Sequence, residues 1–364
     1  MNLQPTTVPE LQEMIQTHNN LLPRGGGTKP ALSTPPVGAM SLNMCRLAGI
    51  LEYEPGEYTF TALAGTPVST IQSALAQHNQ YLPFDPLLVQ AGATLGGTVA
   101  TNTNGSGRYR YGGVRDFILG IKFVDGHGRL IRSGGKVVKN AAGFDLPKFM
   151  TGSLGRYGVL VEISFKVFPQ PAAYQTLQAQ YKNLAATVQA LFKLAPRPFE
   201  IDALDLLPEG NGRWSLVLRL GGLAAALPQR LVRLTKFLRM ETEATVVAPL
   251  PDEAEFWQAA NGLARVDQSA TLVKVPLAMR QLPDLDTAIS LLRATRWYTA
   301  GGNVAWLSVQ DAAALNTVLA ELGLVGLALW GGDGRLYFGQ RKGESLARRV
   351  KQALDPDGKF LSDL

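Results

Sequence analysis

The chain has 364 residues, 46% of them hydrophobic and only 18% charged, enough apolar material for two domains with separate cores. A net charge of +6 without any long Lys/Arg block speaks against a nucleic-acid binder and leaves an anionic cofactor or an acidic partner. The single cysteine, Cys45, excludes an intrachain disulfide and a cysteine-ligated iron–sulfur centre.

In chain order, the first predicted element is a helix in "PELQEMIQTHN", where Leu11, Met14 and Ile15 recur at helical spacing. It leads into "LLPRGGGTKP", residues 21 to 30. Glycine without a Cβ lets backbone amides come close to an anion such as phosphate. A plain surface turn is the other reading of this run. A second helix is expected from Thr66 as N-cap, with Pro67 first and Val68, Ile71, Ala74 and Leu75 on one apolar face.

Residues 92 to 113, "GATLGGTVATNTNGSGRYRYGG", mix glycine with threonine, asparagine and arginine. Val99, Ala100, Tyr109 and Tyr111 make this a folded ligand-binding loop rather than a linker. A β-hairpin follows, with Phe117, Leu119, Ile121 and Phe123 alternating up to a turn at Asp125-Gly126. Then "YGVLVEISFKVFP" alternates through Val159, Val161, Ile163, Phe165 and Val167 and is closed by Pro169. Further on, "GGDGR" reads as a hairpin turn between Leu329 and Leu336. A C-terminal helix is expected to present Leu346, Val350 and Leu354 on one face before Pro356.

Several classes fall away. His18, His78 and His127 lack metal-ligand spacing, and no metal site is expected. No segment is apolar enough to span a membrane and the N-terminus lacks a signal-peptide pattern, so the chain reads as cytoplasmic. The glycine run "RGGGT" is neither G-x-G-x-x-G with its acidic ribose-binding residue nor a Walker loop, so nicotinamide Rossmann and P-loop readings are rejected.

Taken in order, "PRGGGT", "DPLLVQAGATLGGTVATNTNG" and the run from "YGGVRDFILG" to "ISFKVFPQP" resemble the FAD-binding domain of the vanillyl-alcohol oxidase, or PCMH-type, superfamily. That resemblance covers residues 1–170. It implies an α+β domain of two subdomains, about 1–65 and 66–170, with FAD between them. A smaller α+β cap domain, 171–364, would follow, its C-terminal helix returning towards the FAD domain. In such a domain, the backbone of Arg24, Gly25, Gly26, Gly27 and Thr28 and of the loop bearing Gly92, Ala93, Thr94, Gly96 and Gly97 would hold the FAD diphosphate. The resemblance further implies cofactor contacts at Thr98, Thr101, Gly105, Tyr111, Gly112, Val159 and Val161, with Tyr111 and Gly112 near the isoalloxazine. Neither glycine loop carries the histidine or cysteine that relatives use for covalent attachment, so noncovalent FAD is expected, with Cys45 packing as a small apolar residue.

The second half, through Trp257, Lys274-Val275-Pro276 and Trp306, is similar to the E-type subunits of glycolate oxidase. That implies an FAD-binding subunit of a complex oxidising a small 2-hydroxy acid, glycolate to glyoxylate. Its partners would be a catalytic D-type flavoprotein subunit and an iron–sulfur F-type subunit that receives electrons, with membrane association only through those partners. Catalytic relatives carry H-x-G-D-G-N-x-H; here "WGGDGRLYF" has Trp330 and Tyr337 in place of the histidines and Arg335 in place of asparagine. The chain ends "LSDL" where the family continues N-P-G-R, and no catalytic residue is assigned. Two alternatives stay open: a self-sufficient FAD-dependent 2-hydroxy acid dehydrogenase, with Arg108, Arg110, Lys274 or Arg335 clamping a carboxylate, and a scaffold that has lost redox activity.

Overall fold

The computed structural model describes residues 2–135, 144–267 and 269–362. Residues 136–143, which contribute to the family resemblance, lie outside these. The fold is α+β. The chain divides into two compact units, one of Met1–Asn104, Gly113–Gln170 and Lys342–Leu364, the other of Gly105–Gly112 and Pro171–Arg341. This division differs from a single boundary at 170 in two places: an eight-residue excursion joins the second unit, and the tail joins the first.

In the first unit, strands Asn2–Leu3, Met40–Asn43 and Leu21–Arg24 form a parallel sheet with Met40–Asn43 in the centre. The predicted first helix, Val8–Thr17, crosses over between its strands, capped by the Thr7 hydroxyl and burying Leu11 and Ile15. An antiparallel five-stranded sheet follows in the order Ile50–Glu54, Thr59–Leu63, Val159–Lys166, Ile118–Val124, Leu130–Gly134. The change of sheet therefore falls between Asn43 and Ile50 rather than at 65, because Thr59–Leu63 pairs along its length with Val159–Lys166.

The long predicted strand alternates as its sequence requires, with Val159, Val161, Ile163, Phe165 and Val167 all buried. The Asp125 turn is held by its carboxylate, which accepts from the His127 and Arg129 amides and pairs with the Arg129 guanidinium. The second predicted helix spans Val68–Ala76, buries Val68, Ile71 and Leu75, and has Pro67 at its cap. Thr66 does not cap it, because its hydroxyl is committed to the Gly49 and Leu63 carbonyls.

Two expectations are corrected more substantially. The segment read as a loop from 92 contains a helix, Leu95–Thr101, capped by Thr94. Its glycines are poor helix formers, but Gly96 lies so close to Ala64 that a Cβ there would stand 2.8 Å from the alanine methyl; close packing overrides propensity. The C-terminal helix, Glu344–Leu354, leaves Leu346 63% exposed and buries only Lys351. The Lys351 ammonium donates to the carbonyls of Arg156 and Phe360 and pairs with Asp355, whose carboxylate also accepts from the Lys359 and Phe360 amides. A bridge between Leu21 and Phe360 completes the attachment. The tail is thus fixed by a buried, fully bonded ion pair, a pattern that apolar periodicity cannot reveal.

The second unit is built on a nine-stranded sheet in which hydrogen-bonded neighbours run antiparallel. Ala203–Gly210 and Arg213–Gly222 pair on one side of Thr295–Thr299; Thr271–Pro276, Val304–Val309 and Val325–Trp330 lie on the other. The predicted "GGDGR" turn joins Val325–Trp330 to Tyr337–Gly339, with Leu327 opposite Tyr337. Trp257 and Trp306 are buried, and their indoles donate to Thr176 and Thr299. Among the described residues, no helix is long and apolar enough to cross a membrane.

Candidate cofactor site

A cleft opens in the first unit. Its floor is the loop that leaves strand Leu21–Arg24, so Arg24, Gly25, Gly26, Gly27 and Thr28 all line it. Thr94, Gly96, Gly97 and Thr101 line one wall, and Ser153, Leu154, Gly155, Gly158, Val159 and Leu160 another.

The two glycine loops touch. A Cβ on Gly26 would run into the Gly92 carbonyl oxygen, and one on Gly25 into the Thr94 hydroxyl. Gly26 does not adopt positive φ; Gly27 does, at +69°, with the Arg24 guanidinium folded against it. On the third side Gly155, at φ +71°, comes within 3.0 Å of Pro23 measured from an ideal Cβ. Bare backbone is therefore required by packing between loops as well as by access to the cleft.

The polar groups around the cleft divide unequally between the loops. Among the described residues, no protein acceptor takes the amides of Gly25, Gly26, Gly27 or Thr28. The second loop differs: Gly92 and Ala93 donate to Val89 and Leu88, Leu95 and Gly96 to Thr66 and Ala64, Gly97 to the Thr94 hydroxyl, and Thr98 to the Thr94 carbonyl. The first loop presents most of the free donors; in the second, among the described residues, the Thr94 amide alone is left without a protein acceptor, so a sharing of diphosphate contacts would be unequal.

Other expected site residues lie apart. Gly92 and Ala93 support Gly26 without lining the cleft, and Thr98 is buried behind it. Val161 is fully buried and gives its carbonyl to the Ala64 amide. Gly105, Tyr111 and Gly112 belong to the second unit and do not line the cleft. There Tyr111 and Arg110 bond Asp202, the Arg110 contact being 2.6 Å, and Ser106 donates to Asp205. Arg335 reaches Asn316 from the hairpin turn, and Lys274 is buried on its strand. Cys45 is exposed and not packed as expected, because it lies on the single turn Met44–Arg46 that turns Met44 inwards instead.

Residues not anticipated include Met44, Ala64, Ser153, Leu154, Gly155, Gly158, Leu160 and above all Lys29. Lys29 stands next to Thr28 in the quoted run and is only 4% exposed; its ammonium has one long contact, 3.4 Å, to the Thr28 hydroxyl. Burial pushes its pKa down to about 8. Ser153 Oγ is buried and unpartnered among the described residues. Among the described residues no carboxylate lines the cleft, whose charged groups there are Arg24 and Lys29. Free amides, two cations and an orphaned hydroxyl fit an anionic group such as a diphosphate.

Comparison with known proteins agrees with this chemistry. Residues 2–134 match the FAD binding domain family, and this match, with the flavoprotein relatives below, indicates FAD as the cofactor. The relatives are oxidoreductase components: the chain is 39% identical over 190 residues to glycolate oxidase subunit GlcE of Escherichia coli, covering 52% of this chain and 54% of that one. It is 33% identical over 172 residues to glycolate oxidase subunit GlcD of Bacillus subtilis, covering 47% and 36%, and 31% identical over 174 residues to a D-2-hydroxyglutarate dehydrogenase of Xanthomonas citri, covering 46% and 36%. The chain thus matches about half the length of the first relative and about a third of the others. A solved alkyldihydroxyacetonephosphate synthase shares the fold over 98% of this chain and 75% of its own, with a TM-score of 0.72 at 16% identity.

Proposed function

We propose that this chain holds FAD noncovalently in the glycine-loop cleft and serves as the FAD-binding subunit of a glycolate-type 2-hydroxy acid oxidoreductase. The observation that supports it most is that, among the described residues, the amides at Gly25–Thr28 are unclaimed, two cations lie beside them and no carboxylate lines the cleft. Of the residues the resemblance implies, Gly25 to Thr28 donate to the diphosphate, Thr94, Gly96, Gly97 and Thr101 shape the wall, and Val159 covers the cofactor together with Leu160, which the resemblance did not name. When bound, FAD supplies the hydride acceptor for oxidation at a carbinol carbon. Partners are a catalytic D-type flavoprotein subunit and an iron–sulfur F-type subunit; identity to both GlcE and GlcD supports a multi-subunit assembly.

The hairpin that carries Trp330 and Tyr337 supports a division of labour. Neither side chain can ligate a metal or take a proton as imidazole does, and Arg341 stacks on the Tyr337 ring at 4.0 Å. Substrate chemistry on this reading falls chiefly to the D-type partner. The test is anaerobic mixing of the isolated, FAD-loaded chain with glycolate while flavin absorbance is followed. Bleaching should appear only once D- and F-type partners are added. Rapid bleaching of the isolated chain would replace this reading with the self-sufficient dehydrogenase.

A further inference from the structure

We propose that the Lys29 ammonium anchors the FAD diphosphate from within the wall of the cleft, with the Ser153 hydroxyl donating beside it, and that this anchoring makes cofactor capture proton-linked. The inference rests on the cofactor-site reading above and adds to it the residue that supplies charge.

Lys29 is the N-terminal flanking residue of the short helix Pro30–Ser33, and it is buried in the lining of the cleft rather than exposed to water. A lysine this deeply buried ordinarily pairs with a carboxylate or several carbonyls. Lys351, in the same unit, does both. Among the described residues Lys29 does neither: its ammonium reaches only the adjacent Thr28 hydroxyl, at 3.4 Å. Ser153 enters from another segment and is likewise buried, with an oxygen that has no partner. Two buried polar groups from different parts of the chain, both lining one cleft and both unsatisfied, describe a site completed by a ligand.

The sign of that ligand follows from its surroundings. The groups around the cleft that carry charge or titrate are Arg24 on the preceding strand and Lys29 itself. Cys45, outside the lining, is an exposed residue whose thiol is partly desolvated, which pushes its pKa up against the downward pull of Arg24. With no carboxylate among the described lining residues, the ligand must supply the negative charge. Gly25–Thr28, whose amides have no protein acceptor among the described residues, line the same cleft, so the anion belongs at the diphosphate rather than elsewhere on the dinucleotide.

Proton linkage follows from the same burial. Without an anion, desolvation holds the Lys29 pKa down at about 8. A diphosphate in contact returns it to the ordinary lysine range or above, so FAD binds best to protein that takes up a proton.

The experiment is FAD titration into the apo full-length chain by calorimetry at pH 7, 8.5 and 9.5, in two buffers of different ionisation enthalpy, for wild type, Lys29→Met, Lys29→Arg and Ser153→Ala. For wild type, affinity should fall about thirtyfold from pH 7 to 9.5, with proton uptake at pH 8.5. Lys29→Met should weaken FAD about ten- to hundredfold at pH 7 and flatten the profile. Lys29→Arg should keep binding but lose the pH dependence, which removes folding failure as an explanation, and Ser153→Ala should weaken FAD while keeping the slope. ADP should compete with FAD and show the same proton uptake. A flat wild-type profile, Lys29→Met binding within twofold of wild type, or failure of ADP to compete would each overturn the anchor while leaving the cofactor site intact. Absence of any FAD binding by wild type would overturn both.

Discussion

Replacing Gly26 by alanine tests how the two glycine loops are joined. An ideal methyl at this position would sit about 1.5 Å inside ordinary van der Waals contact with the Gly92 carbonyl oxygen. Gly92 cannot easily retreat: its own amide donates to Val89, and the neighbouring Ala93 is tied through its amide to Leu88 and through its carbonyl to Val68. The loop bearing the free amides must therefore move instead. Overpacking of this kind costs about 1–3 kcal/mol, and each charge-assisted bond to the diphosphate that is lost costs about 1.5–3 kcal/mol more in binding. Losing two such bonds corresponds to FAD affinity weaker by about a hundredfold or more. Flavin-fluorescence titration and thermal unfolding measure the two terms separately. Gly56→Ala, where a Cβ meets nothing within 4 Å, is the control and should leave both unchanged. A folded Gly26→Ala protein that binds FAD within threefold of wild type would refute the loop-to-loop geometry.

Other outcomes follow from the same contacts. Acid precipitation of the FAD-loaded chain should leave all flavin in the supernatant, since the cleft offers no covalent attachment residue; yellow colour in the pellet would contradict noncovalent binding. Lys351→Met leaves Asp355, 2% exposed, as an uncompensated buried charge. It should destabilise the chain by about 3–5 kcal/mol in denaturant melts, while a loss below about 1 kcal/mol would show that the tail is held by something else. In the ligand-free chain, the folded pKa of Lys29 lies below its unfolded value of 10.5, so the unfolded state binds more protons between these values. The stability difference between wild type and Lys29→Met should then move in favour of wild type by ~2 kcal/mol from pH 7 to 9.5. A difference that stays constant across that range would place Lys29 in water.

The parts of the site that were legible in sequence are those where chemistry forces a residue type. Three adjacent glycines after a strand-like Leu21-Leu22 mark a loop that must come close to something, and the alternation from Val159 to Val167 marks a strand with one buried face. What was hidden depends on distant neighbours. The helix Leu95–Thr101 contains two glycines that local propensity counts against it, and Ala64, thirty-odd positions away, decides the matter by fitting only against a missing side chain. Lys29 looks like any surface lysine until the fold buries it in the lining of the cleft that Ser153 and Leu160 also line. Lys351 interrupts an apolar stripe and would be assigned to solvent, whereas the Arg156 and Phe360 carbonyls bring it inside. In each case the deciding partner is remote in sequence, so neither period nor motif records it.

The central claim is that the amides of Gly25 to Thr28 bind the cofactor's diphosphate. Its most direct measurement is an experimental structure of the full chain with FAD. The diphosphate is expected against those four amides, with the Lys29 ammonium and Ser153 hydroxyl in hydrogen-bonding contact. A diphosphate held by the Gly92–Gly97 segment, or lying outside this cleft, would contradict it.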